Sequence, residues 1–330
     1  MRFRPVLIAA WLAVVAGACG GNGSADGGKP RVVTTVSPIT NIAQNVGGDR
    51  VTITGVVPEG ENSHEFEPAP SDARVMAEAD IVFINGLHLE EPTLELAEAN
   101  VPDGVKIVKL GDLTITPAEY IYDFSFPKEA GDPNPHLWTH PLYAMRYAEI
   151  IRDELTVLDP DGAATFKANY DAFAARIDAL DEAIRTATAT VPEANRKLLT
   201  YHDSFPYFAR EYGWTIIGAI QPSDFAEPSA REVADLIEQI RDEKVPAIFG
   251  SEVFPSPVLK TIASEAGAKY VDDLRDDDLP GSAGEPTHSY LGLMVFDYRT
   301  FMSALGGDVS AFDGIDTTNV AGEGSATYRE

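Results

Sequence analysis

Six histidines and one cysteine carry most of the metal-binding and nucleophilic chemistry open to this chain of 330 residues. A single cysteine excludes an intrachain disulfide framework. It also excludes the several thiolates that zinc ribbons and iron-sulfur clusters need, so a metal site here must use imidazoles and carboxylates. His64 stands in the loop Pro58-Glu59-Gly60-Glu61-Asn62-Ser63-His64-Glu65-Phe66-Glu67-Pro68, and His136 in Asn134-Pro135-His136-Leu137-Trp138, just before a helical segment. His202 ends an apolar run in Leu198-Leu199-Thr200-Tyr201-His202-Asp203-Ser204-Phe205, and another strand end, Tyr270-Val271-Asp272-Asp273-Leu274, offers carboxylates. Three imidazoles and a carboxylate are the nitrogen and oxygen donors that suit Zn²⁺ in four-coordinate geometry. The intervals exceed any local metal motif, so only the fold can bring these residues together. No Walker loop, His-Glu-x-x-His, Gly-x-Ser-x-Gly or dinucleotide fingerprint is present.

The elements that must position these residues read as two α/β lobes. Short apolar runs at 31–36, 51–57, 81–85 and 105–110 predict strands in the first half, and 197–201, 215–220, 247–249 and 269–271 predict them in the second. Helical spacing lies between them, as at 71–79 with Ser71 as N-cap, and at 229–244 with Val233, Leu236, Ile237 and Ile240 on one face. Strands alternating with helices imply parallel sheets, and open parallel sheets bind ligands at the carboxyl ends of their strands. The domain reading is an N-terminal lobe at 31–140, a helical connector at 141–191, and a C-terminal lobe at 192–305. Within the connector, 163–190 is one long helix, about 42 Å at 1.5 Å per residue, with Phe166, Tyr170, Phe173, Ile177, Leu180 and Ile184 three or four apart. The residues 306–330 are rich in Gly, Asp, Ser and Thr and read as a flexible tail.

Residues 1–18 carry Arg2 and Arg4 ahead of an uncharged apolar stretch, the pattern of a signal peptide too short to span a bilayer. Ala16-Gly17-Ala18 then precedes Cys19, resembling a bacterial lipobox with alanine where leucine is commonest. Cys19 is the expected lipidation site and 19–30 a Gly-rich tether. Asp and Glu total 52 against 25 Lys and Arg, a net charge of -27 with no basic run, which excludes nucleic acid as a partner.

Several motifs occur together and in order: His64 with Glu65 and Glu67-Pro68, Asn134-Pro135-His136-Leu137-Trp138, Tyr201-His202-Asp203-Ser204-Phe205 with Tyr212-Gly213, Glu227-Pro228-Ser229-Ala230, and Val245-Pro246-Ala247-Ile248-Phe249 with Glu252. Over about residues 31–305 the chain resembles the zinc- and manganese-binding lipoproteins that serve ABC metal importers as solute-binding components, the zinc-uptake and surface-adhesin type. That resemblance implies two α/β lobes joined by a long helix, with the metal between them. It implies the ligands His64, His136, His202 and Asp272, with Asp273 as the adjacent alternative. The expected cargo is Zn²⁺, with Mn²⁺ as the alternative. The expected partners are an ABC-transporter permease and, through the lipid anchor, the membrane, for a monomer held outside the bacterial cytoplasm. Many zinc-uptake members carry a His-rich loop between the first two ligands, whereas residues 114–135 here have no histidine; many manganese-binding members have Glu where this chain has His202.

Glu252 and His140 are candidates for bracing a ligand imidazole or substituting for a ligand, although His140 also suits helix capping. His88 reads as a solvent-facing loop residue, His288 as structural, and Asp276-Asp277-Asp278 as a solvated loop. Four protein ligands leave no open position for water, so capture without catalysis is expected. The rival readings are a zinc hydrolase with three ligands plus water, and a metal-stabilised adhesin.

Overall fold

The computed structural model describes residues 28–220, 228–251, 257–322 and 326–328. Residues 1–18, read as a signal peptide, and Cys19, Glu227 and Glu252 lie outside them. Among the described residues no helix is long and apolar enough to cross a membrane.

In the first lobe, β1 (Arg31–Thr34), β2 (Thr52–Gly55), β3 (Ile81–Ile84) and β4 (Lys106–Lys109) are all parallel. They alternate with α1 (Ser37–Gly47), α2 (Asp72–Ala77) and α3 (Glu91–Asn100). β3 is buried along its whole length, as a continuous β-branched and aromatic run in a two-sided parallel sheet should be. Ser71 stands at the N-cap position of α2, as its spacing predicts, but its side chain makes no capping hydrogen bond; the helix begins at Asp72, whose Oδ2 accepts from Ala69 N at 2.6 Å.

α4 (Pro141–Leu158) and α5 (Ala163–Thr190) follow, then the second lobe. It contains β5 (Lys197–Thr200), α6 (Pro206–Tyr212), β6 (Thr215–Ala219), α7 (Ala230–Glu243), β7 (Ala247–Ser251), α8 (Pro257–Ala266), β8 (Lys269–Leu274) and α9 (Tyr290–Ala304). Its sheet runs β6-β5-β7-β8, again parallel. Ser229 opens α7 with a reciprocal capping box: its N–H donates to Glu232 Oε2 at 2.7 Å while its Oγ accepts from Glu232 N, an arrangement worth about 1 kcal/mol.

α5 buries the apolar stripe its spacing predicts, including Phe166, Phe173, Ile177, Leu180 and Ile184. It is more than a strut between lobes, because one hydrophobic core runs from β1 and α1 through α4 and α5 into α6 and α9. This continuity ties the two sheets to a common interior.

Two expectations are corrected here. The described residues between Gly307 and Gly322 form a strap over the first lobe: Asn319 Oδ1 accepts from Asn41 and Asn45 Nδ2 at 3.0 and 2.9 Å, and Arg176 pairs with Asp316 at 2.7 Å. Farther on, β9 (Ala326–Tyr328) joins β2 in parallel and completes the order β4-β3-β1-β2-β9. The strap's polar partners lie 140 to 278 residues upstream, so composition alone could not reveal them. The second correction concerns β8, which continues past Val271 to Leu274. The loop at its carboxyl end therefore begins three residues later than the apolar run suggests.

Candidate metal site

The site is assembled from segments that follow β2, β4, β5 and β8, two in each lobe, at the carboxyl ends of parallel strands. After β2 the chain turns at Gly60, whose φ of +84° suits a residue without Cβ. His64 N then donates to Asn62 Oδ1 at 3.0 Å, an Asx turn that fixes the approach of its ring. After β4, Asn134 N is bonded to Ile121 O at 2.8 Å, and the short turn Leu137–Thr139 leads into α4 with Pro141 in its first turn. His136 is completely buried there. His202 follows β5, where Thr200 Oγ1 donates to the His202 carbonyl at 2.7 Å.

The three rings converge. Nε2 of His64 lies 3.1 Å from Nε2 of His136, which lies 3.2 Å from Nε2 of His202. Adjacent ligands on a tetrahedral ion with bonds of about 2.0–2.1 Å are about 3.3 Å apart, so the nitrogens stand close to the edges of such a tetrahedron. His136 Nδ1 is 3.0 Å from Asn134 Oδ1. An amide oxygen can only accept, so His136 donates through Nδ1 and presents the Nε2 lone pair to the centre. Asn134 is itself held, donating through Nδ2 to Asp123 Oδ2 at 2.8 Å and to the Asp203 carbonyl at 2.5 Å. Asn85 adds a further brace, donating to the Pro135 carbonyl at 3.0 Å while Tyr147 OH donates to its Oδ1 at 2.6 Å. Phe126 covers the cluster, its ring 5.6 Å from His64 and 5.7 Å from His136.

The carboxylates that meet these rings come from the run read as a solvated loop. Asp276, Asp277 and Asp278 are all buried. Asp276 Oδ2 lies 2.8 Å from His202 Nε2 and 3.0 Å from Ser204 Oγ, and its carbonyl accepts from Trp138 Nε1 at 2.8 Å. Asp277 accepts from Ser63 Oγ through Oδ2 at 2.5 Å, and its buried Oδ1 has no hydrogen-bond partner among the described residues. His136, Asp276 and Asp277 each offer a ligand atom within 4.8 Å of the others. Asp272 and Asp273, by contrast, are exposed within β8. The extension of β8 explains the displacement: the strand end that faces the cleft is Leu274, and the acidic triplet after it enters the cleft. Three acids directly after a strand of an open parallel sheet were the sequence signal for them.

Burial and charge divide these groups. Burial, reinforced by His202 and opposed by Asp276, pushes His64 down to about 3, and burial likewise holds His136 well below the ordinary imidazole range. Burial also pushes His202 down, but Asp276, by charge and hydrogen bond, with Asp277 and Asp203 behind it, outweighs that and raises it above 6.5. Burial raises Asp276, yet His202, Ser204 and His64 together hold it below the usual carboxylate range. Asp277 is pushed up to about 7 by burial and by the Asp276 charge.

The remaining histidines serve elsewhere. His140 Nδ1 accepts from Leu142 N at 3.2 Å and so caps α4. His88 is exposed, 3.0 Å from Glu91, and His288 is buried, 3.2 Å from Glu59.

Solved and curated proteins share this architecture. The periplasmic zinc-binding protein TroA from Treponema pallidum superposes with a TM-score of 0.76 at 27% identity, over 84% of this chain and 99% of its own. The Cd-bound periplasmic metal-binding protein from Candidatus Liberibacter asiaticus superposes with a TM-score of 0.73 at 29% identity, over 84% of this chain and all of its own. The manganese-binding lipoprotein MntA of Halalkalibacterium halodurans is 30% identical over 89% of this chain and 95% of its own, and the iron-binding protein YfeA of Yersinia pestis is 30% identical over 84% and 87%. The family model described as zinc-uptake complex component A, periplasmic, matches residues 32–304, and this chain belongs to that family.

Proposed function

We propose that the protein captures one divalent transition-metal ion outside the cytoplasm and delivers it to the permease of an ABC transporter. The observation that carries this reading is the convergence of three imidazole nitrogens, two of the spacings being 3.1 and 3.2 Å, on a buried carboxylate 2.8 Å from one of them. Neutral imidazoles facing one another with lone pairs repel, and a cation among them turns that repulsion into coordination. The proposed ligands are Nε2 of His64, His136 and His202 with Oδ2 of Asp276. Oδ1 of Asp277 stands beside them, an acceptor whose isolation a cation would relieve. Three imidazoles with carboxylate oxygen favour zinc, and manganese is the competitor that added oxygen ligands would help.

The ion is cargo rather than a catalytic centre in this reading. A hydrolase needs an open coordination position and a base beside it. Asp276 Oδ2, 2.8 Å from His202 Nε2, supplies the fourth protein ligand in this reading, and Glu65 is exposed, accepting from Asn62 Nδ2 at 3.0 Å. Relatives named as lipoproteins support Cys19 as the membrane anchor, with residues 19–30 as the tether and the lobes working as a monomer at the membrane face. Elemental analysis of protein purified without added metal, followed by competition of Zn²⁺ against Mn²⁺, tests the proposal. One ion per chain with tighter Zn²⁺ binding is expected. No bound metal, and no thermal shift with either ion, would remove the transport reading.

A further inference from the structure

The loop that carries His64 is fastened across the cleft by groups outside the coordinating set. Asp278, only 7% exposed, accepts from the Gly60 N–H with both carboxylate oxygens, at 2.9 and 2.8 Å. One residue back, Glu59 Oε1 lies 3.2 Å from Nε2 of His288. The two holding residues approach from opposite ends of the segment that joins β8 to α9. His288 is set rigidly there, because Ser289 Oγ accepts from Gly292 N at 2.9 Å and caps α9. Thr287 also folds so closely over that first turn that its carbonyl oxygen would lie 1.9 Å from a Cβ on Gly292. The Gly60 turn itself is open, with nothing within 4 Å of where a Cβ would stand, so contacts from the side, rather than packing from above, hold it.

The turn that leads to His64 is thus held from across the cleft. His136 is braced by Asn134, and the chain beside it by Asn85, both from residues in or beside the first lobe, while Trp138 reaches across to the Asp276 carbonyl. The turn before His64 is instead fixed by Asp278 and His288, which belong to the chain that carries Asp276.

We propose that Asp278 and His288 are positioning residues that latch the Glu59-Gly60 turn, and that this latch sets how long His64 stays on a bound ion and therefore the rate of metal release. The proposal rests on the metal-capture reading and deepens it. Opening the latch leaves Ser63 on Asp277 as the remaining tie beside His64, so that this imidazole can leave first while His136, His202 and Asp276 remain together, without unfolding of either lobe.

The test is the rate at which a fluorescent chelator strips Co²⁺ or Zn²⁺ from the loaded full chain. Asp278→Ala is expected to speed release at least tenfold while leaving one ion per chain and the Co²⁺ absorption spectrum unchanged. Asp278→Asn, which keeps a carbonyl acceptor for Gly60 N–H, is expected to restore most of the slow rate. Glu59→Gln and His288→Gln are each expected to speed release a few-fold, and the double variant no more than the stronger single one, since both remove one contact. Release at the wild-type rate in Asp278→Ala, or a changed Co²⁺ spectrum, would overturn the latch. Hydrogen exchange of the Gly60 amide in metal-free protein separates the two readings. Faster exchange in Asp278→Ala is expected, and unchanged exchange would also overturn the latch, whereas a wild-type chain that binds no metal overturns the capture reading.

Discussion

The two lobes contribute opposite electrostatic halves to one site. The first lobe offers His64 and His136, whose burial keeps protons off them far below neutral pH. The second offers an ion pair, His202 raised above 6.5 and Asp276 held low, 2.8 Å apart. The first half is ready for a cation without losing anything; the second must exchange a proton for it. A buried ion pair gains little net stability, because desolvation offsets the attraction. In the proposed capture it would keep the carboxylate ionised and in place until a metal replaces the proton.

Removing the most deeply fixed member of the neutral half should have the largest effect. His136→Ala is expected to abolish high-affinity binding, with loss beyond the roughly 100-fold at the top of the range for groups that merely brace a ligand. Circular dichroism should show the fold retained, and unchanged metal stoichiometry by elemental analysis would exclude His136 from the site. In the charged half, Asp276→Asn should weaken Zn²⁺ binding by about 100-fold in a competition titration, again the upper end of that range. Asp272→Asn should leave affinity within about twofold, as for other surface changes away from the site. The reverse ranking would restore Asp272 as the ligand and break the proposed pairing of His202 with Asp276. A smaller loss, about 10-fold to 100-fold, is expected for Asn134→Ala, which leaves the His136 nitrogen in place but frees its tautomer and ring orientation.

How much of this was legible in the sequence follows from the range of the forces involved. The parallel strands and the 163–190 helix were legible because their signals are local: β-branched runs, and apolar residues three or four apart that α5 then buries. His64, His136 and His202 were legible because each stands in a polar segment beside a strand end or a helix start. Asp272 lies exposed within β8 rather than in the cleft, because Leu274 closes the strand and Asp276, beyond it, is the buried acid. The burial of Asp276, Asp277 and Asp278 could not be read from three consecutive acids, which in isolation prefer water. Their interior position depends on partners more than 60 residues away, including Ser63, Gly60, His202 and Ser204. The strap after Gly306 was hidden for the same reason, since Asn41 and Asn45 receive it from across the chain.

The proton exchange in the second lobe gives the most graded prediction. Metal binding requires neutral His202, and in the metal-free protein its proton affinity is raised by Asp276. Zn²⁺ affinity should therefore be full above the raised His202 value and fall as pH drops below it, about tenfold per pH unit for one displaced proton. His64, at about 3, and His136, well below 6.5, add no further slope at mildly acidic pH, and Asp276 stays ionised. A site of three ordinary imidazoles would instead lose affinity about a thousandfold per unit below roughly 6.5, because three protons would compete. Zn²⁺ competition titrations between pH 7.5 and 5 distinguish these cases by slope alone. A slope of one supports the division between a proton-free lobe and a proton-exchanging one. A slope of two starting near pH 7 would add Asp277, whose carboxyl is raised to that value, to the groups that shed a proton when its Oδ1 takes the ion. A slope of three, or none, would erase the distinction between the lobes.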